Sequence, residues 1–214
     1  MKQQRLDGLA DGIFAIVMTL LVFEIHVPFL KEDIAKGITD QMLWAGLMNL
    51  WGNFFTFLLS FALLFTYWRA HHFLTSVYAR TLTVGLANYN ALFFLLIALV
   101  PFSSRLLGEY WFSQVAIIVY GIHVILIGMT LFFMRRHIEK NPRIDTLIIH
   151  KDERVSGYVR IFFPAVCALV AIGVSFWNPG VSLIFFAFGI LFNLLPASTN
   201  WIHNNIIEIV RDVE

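Results

Sequence analysis

Few side chains in this sequence can hold a proton, a metal or an ion within an apolar stretch: Arg5, Asp7, Asp11, Glu24, His71, His72, Asn90 and His123. Their spacing argues against most catalytic chemistry. A zinc hydrolase needs two histidines on one helical face with a nearby carboxylate, and neither H-E-x-x-H nor H-x-x-E-H occurs. There is no G-x-S-x-G elbow, Walker loop or dinucleotide fingerprint. His72 reads as an interfacial residue, and His123 as a hydrogen-bonded packing residue rather than a proton relay. The single cysteine, Cys167, lies in an apolar run, where a thiol serves as inert filler. The chain is therefore not expected to be an enzyme or to carry a cofactor or a metal.

What remains is concentrated near the N-terminus. Asp11 and Glu24 stand 13 residues apart, roughly 20 Å along a helix. With Gly12 at zero on a helical wheel, Ile16 falls near 40°, Thr19 near −20° and Phe23 near 20°, with Leu20 at the margin. These positions share a stripe about 60° wide, while Asp11 lies about 100° off it. Two readings stand side by side. In one, the stripe is ordinary helix packing and the Thr19 hydroxyl bonds back to its own turn. In the other, copies of the helix meet about an axis and stack apolar rings with one hydroxyl ring, able to gate by dewetting and to replace part of a cation's hydration shell. Periodicity does not choose between them.

The elements that position these residues follow from composition. Of 214 residues, 59% are hydrophobic, 14% are charged and 22 are Phe. Soluble domains carry about 25% charged residues, so the bilayer is the solvent this chain is built for. The expected fold is all-α: a single domain over residues 1–214 with six transmembrane helices, at about 9–28, 44–68, 84–102, 112–134, 159–177 and 181–195. Asn178-Pro179-Gly180 marks a tight turn between the last two. Lys2 and Arg5 could open a signal peptide, but Asp7 and Asp11 interrupt the approach and the helix reads as retained. The segment from Arg135 to Arg160 is the one long loop, charged, with helices that extend beyond the membrane.

Charge sets the expected direction. Lys2, Arg5, Arg69, Arg80, Arg135, Arg136, Lys140, Arg143, Lys151, Arg154, Arg160 and Arg211 fall on one side, and Lys31, Lys36 and Arg105 on the other. That bias predicts both termini in the cytoplasm. Trp68, Tyr110, Trp111, Trp177 and Trp201 flank spans as interfacial anchors. With a net charge of +1 and no aromatic-interleaved basic cluster, nucleic acid is excluded as a partner.

Three blocks of sequence resemble the transmembrane protein 175 family of potassium channels. The first is Arg5-x-x-x-Leu9-Ala10-Asp11-Gly12-Ile13-Phe14-Ala15-Ile16-x-x-Thr19-Leu20-Leu21-Val22-x-Glu24-Ile25. The second is Trp68-Arg69-Ala70-His71-His72. The third runs from Asn90 through Ile97-Ala98-Leu99-Val100-Pro101-Phe102 to Leu107-Gly108-Glu109-Tyr110. The resemblance implies a potassium-selective channel in a prokaryotic plasma membrane, six-span subunits forming a homotetramer around a central pore, and potassium as the permeant ion. It implies a pore lined by the first helix at Ile16, Thr19, Leu20 and Phe23. It also implies a polar cluster anchoring that helix, matching Arg5, Asp11, Trp68, His71 and Asn90. Leu9-Ala10 stands where the family has Phe-Ser, and Phe23 where relatives often carry a smaller aliphatic residue. Thr83-Val84-Gly85-Leu86-Ala87 begins like the carbonyl filter of ordinary potassium channels but lacks its Tyr and second Gly, so selectivity would come from side chains. The alternative expectation is a proton-permeable or proton-linked cation transporter titrating Asp11, Glu24 or His123.

Overall fold

The structure, a computed structural model, describes residues 3–28, 39–148 and 151–195. Lys2, Lys31, Lys36, Trp201 and Arg211, all used in the topology argument, lie outside the described residues, as does the side chain of Lys151. Among the described residues the only β pairing is one isolated bridge. The expected all-α class holds.

Among the described residues there are eight α-helices: α1 (Gln3–Leu20), α2 (Asp40–Asn49), α3 (Trp51–His72), α4 (Val84–Ala98), α5 (Val100–Glu109), α6 (Gln114–Lys140), α7 (Lys151–Ser175) and α8 (Pro179–Leu194). Among the described residues five segments are long and apolar enough to cross a bilayer: Gln3–Glu24, Trp51–Tyr78, Val84–Glu109, Gln114–Lys140 and Glu153–Ser175. The sixth, α8, is shorter at 16 residues. It rises about 24 Å, roughly one turn less than the hydrocarbon thickness.

The spans differ from the hydropathy boundaries in instructive ways. The first begins six residues earlier than expected, at Gln3, and its last turn, Leu21–Glu24, tightens to 3₁₀ before Ile25 turns extended. Residues 44–49, expected within the second span, belong instead to α2, because the backbone leaves helical geometry at Leu50. That break precedes a tight approach. A Cβ on Gly52 would lie 2.8 Å from the Trp111 ring and 3.0 Å from the Gly108 carbonyl. The third span is interrupted at Leu99 and restarts with Pro101 in the first turn of α5, where a missing N–H costs nothing. The segment expected as a long loop between Arg135 and Arg160 is mostly helix. α6 runs on to Lys140 and α7 starts at Lys151.

Side-chain caps start several helices. Thr83 accepts from the Leu86 N–H at 3.3 Å, so the Thr-Val-Gly segment is a helix start and not a filter. Asn178 accepts from the Gly180 and Val181 N–H groups at 2.9 and 3.2 Å, with Pro179 at the head of α8. This is the predicted hairpin turn made by an N-cap. The connection after α6 folds back on the end of the turn Phe73–Tyr78 that follows α3. Leu147 N–H donates to the Tyr78 carbonyl at 3.0 Å and Arg80 N–H to that of Asp145 at 2.8 Å.

Polar side chains then stitch the bundle. The Tyr67 hydroxyl donates to the Val124 carbonyl (3.1 Å), and Ser60 meets Tyr120 at 3.1 Å. At one end of α6 and α7, Arg135 is sealed in at 1% exposure. Its Nε donates to Glu139 at 3.2 Å, its Nη2 to the Arg154 carbonyl at 2.9 Å, and its guanidinium lies 4.0 Å from the Tyr158 ring centroid. Glu139 also accepts from Arg154 Nη2 (3.2 Å) and from the Tyr158 hydroxyl (2.5 Å). Every charge buried there has a partner, as a low-dielectric setting requires.

Candidate functional site

α1 has two faces. Leu6, Ala10, Phe14 and Val17 are buried, as is Leu21 in the 3₁₀ turn, and the helix packs on α3 and α4. The opposite face is left uncovered by the described residues. Ile16 is 60% exposed and Phe23 71%, with Leu20 and Thr19 also exposed. A Cβ added at Gly8 or Gly12 would meet nothing within 4 Å. The stripe read from the wheel is thus the unpacked face. The 3₁₀ turn winds about 120° per residue and so shifts Phe23 from its wheel angle, yet Phe23 remains on the open side.

Thr19 bonds back to its own helix, its hydroxyl lying 3.0 Å from the Ala15 carbonyl and 2.8 Å from that of Ile16. The local bond expected of a packing threonine is therefore present. It does not remove the residue from ion chemistry. With the proton directed into the helix, the oxygen lone pairs are left to the exposed side, the orientation a cation needs.

The residues expected as one anchoring cluster separate into two contacts, and Arg5 joins neither among the described residues. Asp11 accepts from the Trp68 indole Nε1–H at 2.9 Å. His71 Nε2 meets Asn90 Oδ1 at 2.6 Å, and Asn90 Nδ2 donates to the Leu86 carbonyl at 2.8 Å. An amide oxygen only accepts, so Nε2 carries the proton. The His71 ring lies flat on Phe93, with centroids 5.0 Å apart and planes 3° off parallel, and Phe14 of α1 approaches it at 6.4 Å. An imidazole stacked on Phe93, with the tilted Phe14 ring of α1 against it, is thus the seat on which α1 rests. Arg5 is exposed and, among the described residues, pairs with no carboxylate. It does not close the cluster with Asp11 within the chain.

Further anchors carried no sequence signal strong enough to single them out. Gln3 Nε2 donates to the carbonyls of Thr75 and Ala79, beside the π-helical turn Phe73–Tyr78. Thr75 donates to Asp7 at 3.4 Å. At the other end of α1, Glu24 lies 3.6 Å from Arg105 Nε, which also holds Glu109 at 2.9 Å. The Arg105-x-x-x-Glu109 spacing was the legible half of that arrangement.

His123 has both ring nitrogens engaged. Nε2 lies 2.9 Å from the Leu96 carbonyl at the α4–α5 break, and Nδ1 lies 2.7 Å from the Ser103 hydroxyl. No group of three or more potential metal ligands occurs among the described residues.

Residues 5–101 match the family model described as endosomal/lysosomal potassium channel TMEM175. A Streptomyces collinus protein named a potassium channel is 30% identical over 150 residues, 66% of this chain and 69% of that one. The chain belongs to the TMEM175 family. A Chamaesiphon minutus potassium channel is 39% identical over 106 residues, and there the match spans about half of each protein, 50% and 49%. A Chryseobacterium potassium channel is 26% identical over 92% of this chain and 94% of its own. In three dimensions the chain resembles the crystal structure of a lysosomal potassium-selective channel TMEM175 homolog from Chamaesiphon minutus. There the TM-score is 0.72 and the identity 30%, covering 90% of this chain and 96% of that one. The family match falls on the first half of the sequence, where α1 and its supports lie, and the structural match extends to nearly the whole fold.

Proposed function

We propose that the protein is a potassium-selective channel of the cell membrane, in which four copies bring their α1 helices around a common axis. Both termini lie in the cytoplasm. The observation that carries this reading is the division of α1: one face is packed by its own chain, and on the other Ile16, Thr19, Leu20 and Phe23 are left exposed by the described residues. One helix cannot enclose a passage, so a symmetric assembly is required to use that face. The names of the relatives supply the permeant ion.

In this reading Ile16 and Phe23 form apolar rings and Thr19 a ring of oxygens between them. Apolar rings restrict passage by expelling water, and hydroxyl lone pairs substitute for part of the ion's hydration. Proton-coupled transport has less support. Asp11 is held by Trp68, Glu24 sits beside Arg105, and His123 uses both nitrogens to close a helix break.

The test is planar-bilayer recording of the purified protein between potassium and sodium solutions. Wild type should pass single-channel current with a reversal potential favouring potassium, and Thr19→Ala should move that potential toward the sodium value. Currents indifferent to substitution at Ile16, Thr19 and Phe23 alike would remove α1 from the pathway. Saturable, pH-coupled uptake without unitary current would make the protein a transporter.

A further inference from the structure

Two consecutive arginines on α6 meet opposite fates. Arg135 is enclosed and paired with Glu139, whereas Arg136 is exposed and among the described residues has no carboxylate partner. Lys140, one turn on and about 6 Å along the axis, is likewise exposed and unpaired among the described residues. The carboxylate nearest in sequence is unavailable to either. Glu139 is committed to Arg135, Arg154 and the Tyr158 hydroxyl.

Arg136 and Lys140 also end a longer pattern. The exposed residues of α6 include Val115, Ile122, Leu126, Met129 and Phe133, and each successive step to Arg136 and Lys140 is three, four or seven residues. At about 100° per residue they fall in one band roughly 80° wide. The row is therefore apolar for most of the helix and cationic in its last two turns. Its mirror face, with Ala116, Tyr120, Val124, Ile127, Leu131, Arg135 and Ile138, is buried.

We infer that the outward row of α6 is a binding site for one anionic phospholipid, its acyl chain along Ile122 to Phe133 and its phosphate between Arg136 and Lys140. The apolar stretch offers the dispersion surface of an acyl chain. Long cationic side chains at its end lay their stems along that surface and carry their charge to headgroup depth. A planar guanidinium grips two phosphate oxygens and the ammonium adds a second charge. Sequestering Glu139 inside the α6–α7 network leaves this end with positive charge that no carboxylate among the described residues pairs.

Native mass spectrometry of the purified assembly titrated with dioleoylphosphatidylglycerol or dioleoylphosphatidylcholine tests the site. Wild type should retain phosphatidylglycerol in preference to phosphatidylcholine. Arg136→Gln with Lys140→Gln should weaken phosphatidylglycerol retention about 30-fold. The charge-conserving pair Arg136→Lys with Lys140→Arg should retain it, which separates loss of charge from loss of fold. Arg69→Gln with Arg80→Gln, removing two exposed cations elsewhere, should change retention far less. The site is overturned if wild type does not distinguish the two lipids, or if both glutamine pairs lose retention equally. It is overturned too if the α6 pair changes the assembled mass, which would make the row a contact between copies of the chain.

Discussion

Replacing Asn90 with Leu tests whether α1 is seated on a hydrogen-bonded imidazole. The substitution keeps the side-chain volume nearly constant and removes the acceptor of the 2.6 Å bond from His71. Both residues are buried, His71 at 1% exposure and Asn90 at 0%, and rings of Phe14, Phe93 and Phe94 surround the imidazole. A donor stranded in such a site loses about 1–3 kcal/mol. Interhelical bonds in membranes average only about 0.6 and reach about 1.7, because the unfolded chain in lipid also finds partners. Enclosure by aromatic faces puts this bond toward the upper end, so about 1–2 kcal/mol is expected. The Asn90 Nδ2 bond to the Leu86 carbonyl adds little, since that carbonyl keeps its helical partner. His71→Phe preserves the stack on Phe93 and strands the Asn90 oxygen instead, at similar cost. The two changes together leave no unsatisfied group and should recover most of the loss. Denaturation by sodium dodecyl sulfate in mixed micelles, followed through tryptophan fluorescence, gives the four corners of the cycle. Additive single effects, or an Asn90→Leu protein as stable as wild type, would refute the seat.

In a Cys167→Ser background, Ile16→Cys should yield disulfide-linked dimers of the purified protein under mild oxidation. Monomer alone would argue against a shared axis. Gly108→Ala should cost about 1–3 kcal/mol, because its Cβ would lie 2.6 Å from Thr56 Oγ1 and 3.2 Å from the Asn53 Cα on α3. Gly173→Ala, with nothing within 4 Å, should be neutral or stabilise by up to about 1 kcal/mol, and thermal shift in detergent compares the two. Glu139→Gln should destabilise by about 3–5 kcal/mol by leaving the buried Arg135 cation without its counter-charge. Replacing both, Arg135→Met with Glu139→Leu, should restore much of that in the same micelle titration.

How much of this was legible in one dimension depends on how local the deciding force is. Span count followed from hydropathy because burying an apolar helix in lipid depends on the sum of its residues and not on its neighbours. The 100° step grouped Gly12, Ile16, Thr19 and Phe23 on one stripe but left open whether that stripe packs; the structure puts the packed face opposite, with Phe14 and Val17. The break at Leu50 was not legible, since close approaches such as that of Gly52 to Trp111 are settled between helices, whereas the one at Leu99 has a local signal in Pro101.

Residue types and their periodicity determined that this chain is a helical membrane protein with one helix unlike the rest, and the family resemblance pointed to Asp11, His71 and Asn90 as candidate supports of that helix. Only the tertiary structure decided who pairs with whom. Asp11 takes Trp68, and His71 takes Asn90. Arg5 is left to solvent, and of two adjacent arginines one is sealed against Glu139 while its neighbour faces outward. The physical reason is that a hydrogen bond or ion pair exists only within about 3–4 Å. Which polar groups come that close is set by the rotation and crossing of whole helices, a property no single stretch of sequence contains.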